Sequence, residues 1–169
     1  MCITFFITGC KKTKEQAPDA PNESFAPASQ AEESDSDLLI QPGIGVGKVK
    51  FGMTVEKMKD ILGKPDVDAT GISYLYSSLG IEIIAMDHTT IDRISCGNPE
   101  NKSDSIIKVM EQACKFKTAE GIGIGSTEAQ VIEAYGEPTN RRGNRLMYKD
   151  KRISFTLAED KIIGIFLQK

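Results

Sequence analysis

Two stretches of this sequence decide the fold: residues 51–66 read FGMTVEKMKDILGKPD, and residues 124–139 read IGSTEAQVIEAYGEPT. At an offset of 73 residues they share the positions that begin a helix. Thr54 and Thr127 suit the N-cap, because a threonine hydroxyl accepts a hydrogen bond from a free backbone N–H. Gln130 completes a capping box with Thr127. The sequence therefore predicts the same short helix in two places.

The end of each predicted helix is marked by glycine with proline two residues later: Gly63 with Pro65, and Gly136 with Pro138. Glycine suits a left-handed residue after the last helical turn, and proline cannot continue the helix. Helices this short are marginal in isolation, so each must pack on another element.

The segment after each helix predicts an antiparallel sheet. At an offset of 72, four apolar residues of the first half align with four of the second: Tyr76, Ile81, Ile83 and Ile91 with Tyr148, Ile153, Phe155 and Ile163. Ile153, Phe155 and Leu157 alternate along the chain as one buried face of a strand does. We therefore expect an α+β fold of two tandem units, each a short helix packed on a roughly three- to four-stranded antiparallel sheet.

The boundaries of the two units follow from this pattern, with the first at residues 42–98 and the second at 121–169. Residues 99–120 form a connector, which is predicted to be helical because five apolar residues have helical spacing: Ile106, Ile107, Met110, Ala113 and Cys114. An extra strand at residues 106–110 remains the alternative, since a short apolar run does not decide between helix and strand.

The N-terminus predicts a location. Residues 1–10 read MCITFFITGC, a short apolar run that ends in small residues before a cysteine. This resembles the lipobox of bacterial lipoproteins, which implies a signal ending at Cys10, acylation of Cys10 and an extracytoplasmic protein anchored to a bacterial membrane. The alternative is the hydrophobic start of a cytosolic protein. Residues 11–41, rich in Pro, Ala, Ser and acidic residues, are predicted to be a disordered tether.

Charge argues against nucleic acid as a partner. The segment from Glu15 to Asp37 holds seven acidic residues and no lysine or arginine, and beyond Gln41 18 basic and 17 acidic side chains remain. Binding of phosphate backbones needs a basic stripe, which a nearly neutral domain lacks. The one basic cluster, Arg141, Arg142 and Arg145, is interpreted as a solvated turn, with an anion-binding role as the alternative.

The repeated string Gly-Met/Ser-Thr, helix, Gly-x-Pro resembles the signature that opens each half of the beta-lactamase inhibitory protein family. It is also similar to the single copy in BamE-type (SmpA/OmlA) outer-membrane lipoproteins. The first resemblance implies a tandem, saddle-like binding protein whose partner is an unknown protein or envelope ligand. The second implies a structural or assembly lipoprotein of an outer-membrane complex, and we keep it as the alternative.

No set of residues in the sequence predicts catalysis, a metal or a cofactor, so we expect a protein that is not an enzyme. His88 is the only histidine and falls in a predicted turn, and Cys96 and Cys114 lack the spacing of a metal site. A hydrolase using a carboxylate pair is the remaining enzymatic alternative, with three candidates: Glu82, Asp87 and Asp92.

Cys96 and Cys114 are also candidates for a disulfide across the junction between the two units. An oxidising compartment such as the cell envelope permits the bond. Two buried free thiols are the alternative.

Overall fold

The computed structural model describes residues 39–99 and 110–169. Cys10, residues 11–38 of the predicted tether, and Ile106 and Ile107 of the predicted connecting helix lie outside the described residues. The described chain is a mixed α+β fold with two helices, α1 (Val55–Leu62) and α2 (Glu128–Tyr135). It contains no helix that is long and apolar enough to span a membrane.

Both helices begin at a threonine. The Thr54 hydroxyl accepts a hydrogen bond from the backbone N–H of Lys57 at 3.2 Å. Thr127 forms a capping box with Gln130, whose side chain accepts a hydrogen bond from the Thr127 backbone N–H at 2.8 Å. Each cap satisfies N–H groups that have no partner within the helix.

Both helices end at a glycine, in a conformation different from the expected one. Gly63 has φ 81° and ψ −165°, and Gly136 has φ 76° and ψ −168°. The sign of φ is that of a left-handed residue, but ψ is extended, a combination that is essentially restricted to glycine. Pro65 and Pro138 lie two residues further, between each helix and the next strand.

One large antiparallel sheet holds eight strands in the order β4-β5-β6-β7-β12-β11-β10-β9. The strands of the first half are β4 (Val67–Ala69), β5 (Ser73–Tyr76), β6 (Ile81–Ile84) and β7 (Arg93–Gly97). Those of the second half are β9 (Asn140–Arg142), β10 (Arg145–Tyr148), β11 (Ile153–Ala158) and β12 (Lys161–Gln168). The expected size of three to four strands per sheet was wrong for this sheet, because β7 pairs with β12 from Arg93↔Gln168 to Gly97↔Gly164.

A second, smaller sheet begins at residue 39, within the segment 11–41 that was expected to be a tether. Its strands are β1 (Leu39–Gln41), β2 (Gly45–Val46), β3 (Val49–Lys50) and β8 (Lys117–Thr118). β1 pairs antiparallel with β2 and parallel with β8. Ile40 is buried in this position, and that burial explains why residues 39–41 are ordered as a strand.

The described part of the connector also differs from expectation, because residues 110–116 contain neither helix nor strand. The backbone N–H of Glu111 donates to Ser77 O, and that of Cys114 donates to Gly97 O. These bonds, to the turn after β5 and to the end of β7, replace the hydrogen bonds that a helix would make within itself.

The core lies on one face of the large sheet. Strand register places two rows of buried side chains across it: Tyr74, Ile83, Ile94, Leu167, Ile153 and Tyr148, and then Tyr76, Ile81, Cys96, Ile165, Phe155 and Leu146. Val55 and Met58 of α1 and Val131 of α2 belong to the same cluster. Both helices therefore cover this one face.

A buried tyrosine ties each helix end to the sheet. The Tyr76 hydroxyl donates to Gly63 O at 3.0 Å, and the Tyr148 hydroxyl donates to Gly136 O at 2.8 Å. Burial raises the pKa of Tyr76 to about 12, because the charged phenolate is poorly solvated there.

We expect Tyr76→Phe to lower the free energy of unfolding by about 0.5–1.5 kcal/mol, since Gly63 O loses its donor. The pKa of Tyr76 is higher in the folded than in the unfolded state, so the stability that the neutral phenol contributes is fully present below the ordinary pKa near 10. That stability is lost as pH rises through about 12. Urea denaturation between pH 8 and 12 measures this. The gap between wild type and Tyr76→Phe should be constant below pH 10 and should then shrink, and a gap that stays constant to pH 12 contradicts the expectation.

A candidate binding face on the large sheet

The second face of the large sheet, opposite α1 and α2, is the candidate site. Side chains alternate along a strand, so the residues between the core positions point to this face. We call it the outer face and define it by one row across six strands: Leu75, Glu82, Ser95, Phe166, Ser154 and Met147.

The outer face is closed in its first half. Leu75 is buried and packs with Met110 in a small cluster separate from the main core. Glu82 is 6% exposed and accepts a hydrogen bond from the Ser73 hydroxyl at 2.6 Å. This half therefore offers little surface to a ligand.

The second half of the outer face carries an open cavity of about 210 Å³. Phe166 and Met147 supply its apolar surface and are each only partly buried. Arg145, Lys149 and Arg152 also line it, and none of the described residues that line it carries a carboxylate. The cavity thus combines an apolar floor with a basic rim.

Arg145 is held in one orientation over this floor. Its Nε and Nη2 atoms donate to the Ser154 hydroxyl at 3.1 and 2.9 Å. Its guanidinium carbon lies 5.1 Å from the centroid of the Phe166 ring, within the range of a cation–π contact. A guanidinium carries five N–H donors, and among the described residues the other three have no acceptor.

The structure separates the basic residues that lie together in the sequence. Arg141 forms a bidentate ion pair with Glu128 of α2, in which Nη1 donates to Oε1 at 2.6 Å and Nη2 donates to Oε2 at 3.0 Å. Arg142 is exposed in the edge strand β9, paired in register with Arg145. Only Arg145 of the three lines the cavity, so the interpretation of the whole cluster as a solvated turn needs to be revised for this residue.

The three carboxylates considered for hydrolysis are each held by other partners. Glu82 bonds to Ser73, and Asp92 accepts from the Met86 N–H and lies 3.4 Å from Arg93 Nε. Asp87 accepts from the backbone N–H and hydroxyl of Thr90 and from the Thr89 N–H, and these bonds hold its pKa far below its ordinary value. A carboxylate held ionised in this way cannot donate a proton at neutral pH.

His88 is exposed in the turn after β6 with φ 62°. The described residues contain no group of three or more His, Cys, Asp or Glu side chains that could hold a metal ion.

Residues 43–47 and 121–125 are two glycine-rich stretches, reading GIGVG and GIGIG. In the first, Gly45 begins β2, and a Cβ there would lie 2.0 Å from Val49 O. Absence of a side chain therefore allows β2 and β3 to close a tight turn.

Cys96 and Cys114 are brought together in the core. Both thiols are buried and unbonded, and both cysteines belong to the main core cluster. Cys96 lies in β7 and Cys114 in the described end of the connector.

The sequence did not predict the outer face as a site, although Glu82 and Arg145 were considered there for other roles. Phe166 lies in the apolar run of residues 162–167, and because its sequence neighbours are also apolar, no alternation indicates that its side chain points outward. One signal was available: Arg145 and Met147 alternate with Leu146 and Tyr148, which indicates a strand with a second, partly polar face.

Comparison with known proteins gives one match. Residues 44–119 match the family model of a domain of unknown function, DUF7738. No curated protein and no solved structure matches the chain. The matched range contains α1, β4 to β7 and both buried cysteines, and it excludes α2 and the residues that line the cavity.

Proposed function

We propose that this protein is a non-enzymatic, lipid-anchored protein of the bacterial cell envelope that binds another protein through the outer face. One observation carries the proposal: Arg145 is held by Ser154 above a partly exposed Phe166, in a cavity with three basic side chains and no described carboxylate. Arginine and aromatic residues in partly enclosed pockets are the groups that contribute most to protein–protein binding.

The chemistry of the cavity favours an acidic protein surface as the partner. Met147 and Phe166 supply an apolar centre, and Arg145, Lys149 and Arg152 supply positive charge around it. Acidic side chains on a partner would accept hydrogen bonds from the remaining guanidinium N–H donors of Arg145 and would increase the rate of association.

A tandem architecture similar to that of the beta-lactamase inhibitory protein family is part of the proposal. It is supported by features that recur at an offset of 72 or 73 residues: the threonine cap, the glycine end and the tyrosine that bonds to that glycine. It is supported also by the strand order, in which each half contributes four consecutive strands to the large sheet. On this hypothesis the two halves are copies of one unit.

Placement in the envelope rests on the sequence of residues 1–10, with acylation at Cys10 as the anchor. An acidic stretch, from Glu15 to Asp37, would then separate the folded part from the membrane.

Site-directed photo-crosslinking in cells that make the full chain tests this proposal. A benzophenone amino acid at Met147 should give one discrete adduct, and the same group at Lys57, exposed on α1, should give none. Arg145→Glu should reduce the yield of the Met147 adduct about tenfold or more, because a central arginine is removed and its charge reversed. Lys57→Glu changes the charge equally and should leave the yield unchanged.

The same cells test the anchor. Cys10→Ser should release the protein from the membrane pellet, whereas Cys2→Ser should leave it there.

Adducts of equal yield from Met147 and Lys57, or an adduct whose yield is unchanged by Arg145→Glu, would argue against binding through the outer face.

A further inference from the structure

Two buried thiols lie next to each other at the junction between the large sheet and the connector. Cys96 is 0% exposed in β7, which is one of the two central strands of the large sheet. Cys114 is 4% exposed, and both cysteines belong to the same core cluster. Two cysteines buried in one cluster can form a disulfide only where their backbones run close together.

The backbones around the two cysteines are fixed in close approach. The Cys114 N–H donates to Gly97 O at 2.9 Å, directly beside Cys96. Gly97 in turn donates to Gly80 O at 3.0 Å. Residue 80 lacks a side chain, and a Cβ there would lie 2.4 Å from Cys114 N. The fold therefore holds residues 112–114 against the ends of β6 and β7 through backbone contacts, independently of any bond between the thiols.

We propose that Cys96 and Cys114 are oxidised to a disulfide while the chain folds, and that this bond fastens the connector to β7. The inference rests on the envelope location that is part of the proposed function, because a disulfide persists in an oxidising compartment, but it does not rest on the proposed binding partner. It concerns the folded core and holds whatever the outer face binds.

The timing follows from the environment of the thiols. The hydrogen bond with Cys114, and then burial, raise the pKa of the Cys96 thiol well above its ordinary value. The thiolate is the attacking species, so oxidation is slow once the core has closed. The bond forms earlier, when both thiols are still accessible, and burial then protects it from reductants.

The reaction is a thiol–disulfide exchange with a disulfide donor, such as oxidised glutathione or a dithiol oxidase. One cysteine, as the thiolate, attacks a donor sulfur and forms a mixed disulfide, and the first donor thiol leaves. The second cysteine then attacks the sulfur of its partner cysteine and expels the second donor thiol. Cys96 and Cys114 lose two electrons and two protons together, and the donor is reduced to two thiols.

Refolding of the full chain carrying Cys2→Ser and Cys10→Ser tests the proposal, because only the two core cysteines remain. After refolding in oxidised and reduced glutathione, the intact mass should be lower by about 2 Da than that of the reduced chain, as loss of two hydrogens requires. The urea midpoint of the oxidised protein should exceed that of the same protein in dithiothreitol by about 1–2 M, since the bond constrains the unfolded chain. The native reduced protein should react with oxidised glutathione far more slowly than the unfolded chain.

A matched control moves one thiol to the opposite face of β7. The additional pair Cys96→Ala and Ser95→Cys keeps two cysteines, but residue 95 points to the outer face and cannot reach Cys114. This variant should not form the internal bond. The proposal is overturned by two free thiols after refolding of the parent, by a glutathione adduct in place of the internal bond, or by a bond that leaves the urea midpoint unchanged.

Discussion

Replacement of Phe155 with alanine is expected to lower the free energy of unfolding by about 3–5 kcal/mol. Phe155 has no exposed surface and stands in β11 on the core face of the large sheet. Its ring centroid lies 5.5 Å from that of Tyr135 of α2 and 5.9 Å from that of Tyr148 of β10. Removal of the ring leaves a cavity at the point where α2 meets the sheet, so the loss includes both transfer and cavity terms.

Phe166→Ala is the matched control for this prediction. Phe166 lies in the neighbouring strand β12, but on the outer face, and it is only partly buried. Its replacement should cost about 1 kcal/mol, because little apolar surface returns to water and no enclosed cavity forms. Urea denaturation followed by circular dichroism measures both variants. Equal losses would mean that the core does not lie mainly between the sheet and the helices.

The helix ends and the strand faces were predictable because their signals are local. A threonine cap and a glycine end act within four residues of the helix that they bound. In the same way, the alternation of Ile153, Phe155 and Leu157 identifies one buried face, and all three side chains are buried in the structure. Such features depend on neighbours in the sequence, which a single sequence displays.

The pairing of β7 with β12 was not predictable, and it changes the architecture from small sheets to one of eight strands. Each strand is apolar on its core face, and alternation alone does not determine which strands pair with each other. The parallel pairing of β1 with β8 has the same cause, because it joins residues 39–40 to residues 117–118. Long-range pairing is decided by the packing of the whole core, which local periodicity does not contain.

The apolar spacing of the connector has a different cause. Met110 and Cys114 have helical spacing, yet they pack in two separate clusters: Met110 against Leu75 on the outer face, and Cys114 in the main core beside Cys96. An irregular segment that crosses the end of a sheet can bury apolar residues on both sides of it. Regular spacing then reflects two packing partners and not one helical face.

The candidate site was hidden by the same ambiguity. Phe166 belongs to an apolar run in which Ile165 and Leu167 face the core, and only the register with Ser95 and Ser154 identifies its outward position. The positive charge of the site was not predictable either. Arg141 forms an ion pair with Glu128, whereas Arg145, four residues later, lines the cavity. A binding face on a sheet depends on which strands are neighbours, so it becomes visible only with the topology.

Replacement of Gly80 with alanine is expected to cost about 2–5 kcal/mol, for a reason that the second half of the chain makes clear. Gly80 ends a 3₁₀ turn at residues 77–79 in the left-handed conformation, with φ 65° and ψ 31°. Arg152 ends the corresponding turn at residues 149–151 with φ 57° and ψ 33°. A residue with a long side chain is therefore accepted in this conformation, so backbone torsion alone does not require glycine at position 80.

What requires glycine at position 80 is the backbone of residues 112–114. A Cβ at this position would lie 2.4 Å from Cys114 N and 2.7 Å from Gln112 O, and backbone atoms cannot move aside as the end of a side chain can. The torsional cost of about 1–2 kcal/mol is thus joined by displacement of the segment, at about 1–3 kcal/mol. Gly143→Ala is the matched control, because Gly143 has φ 56° and open space around it, so only the torsional cost applies.

Urea denaturation of both glycine variants under reducing conditions separates the two costs, because no bond between the thiols then contributes. Hydrogen exchange at residues 112–114 should increase in Gly80→Ala and stay unchanged in Gly143→Ala, since only the first displaces the segment that carries Cys114. If the two variants lose equal stability, the close approach of the connector to β6 contributes nothing. In that case the contact between Cys96 and Cys114 would have to be maintained by the thiols themselves.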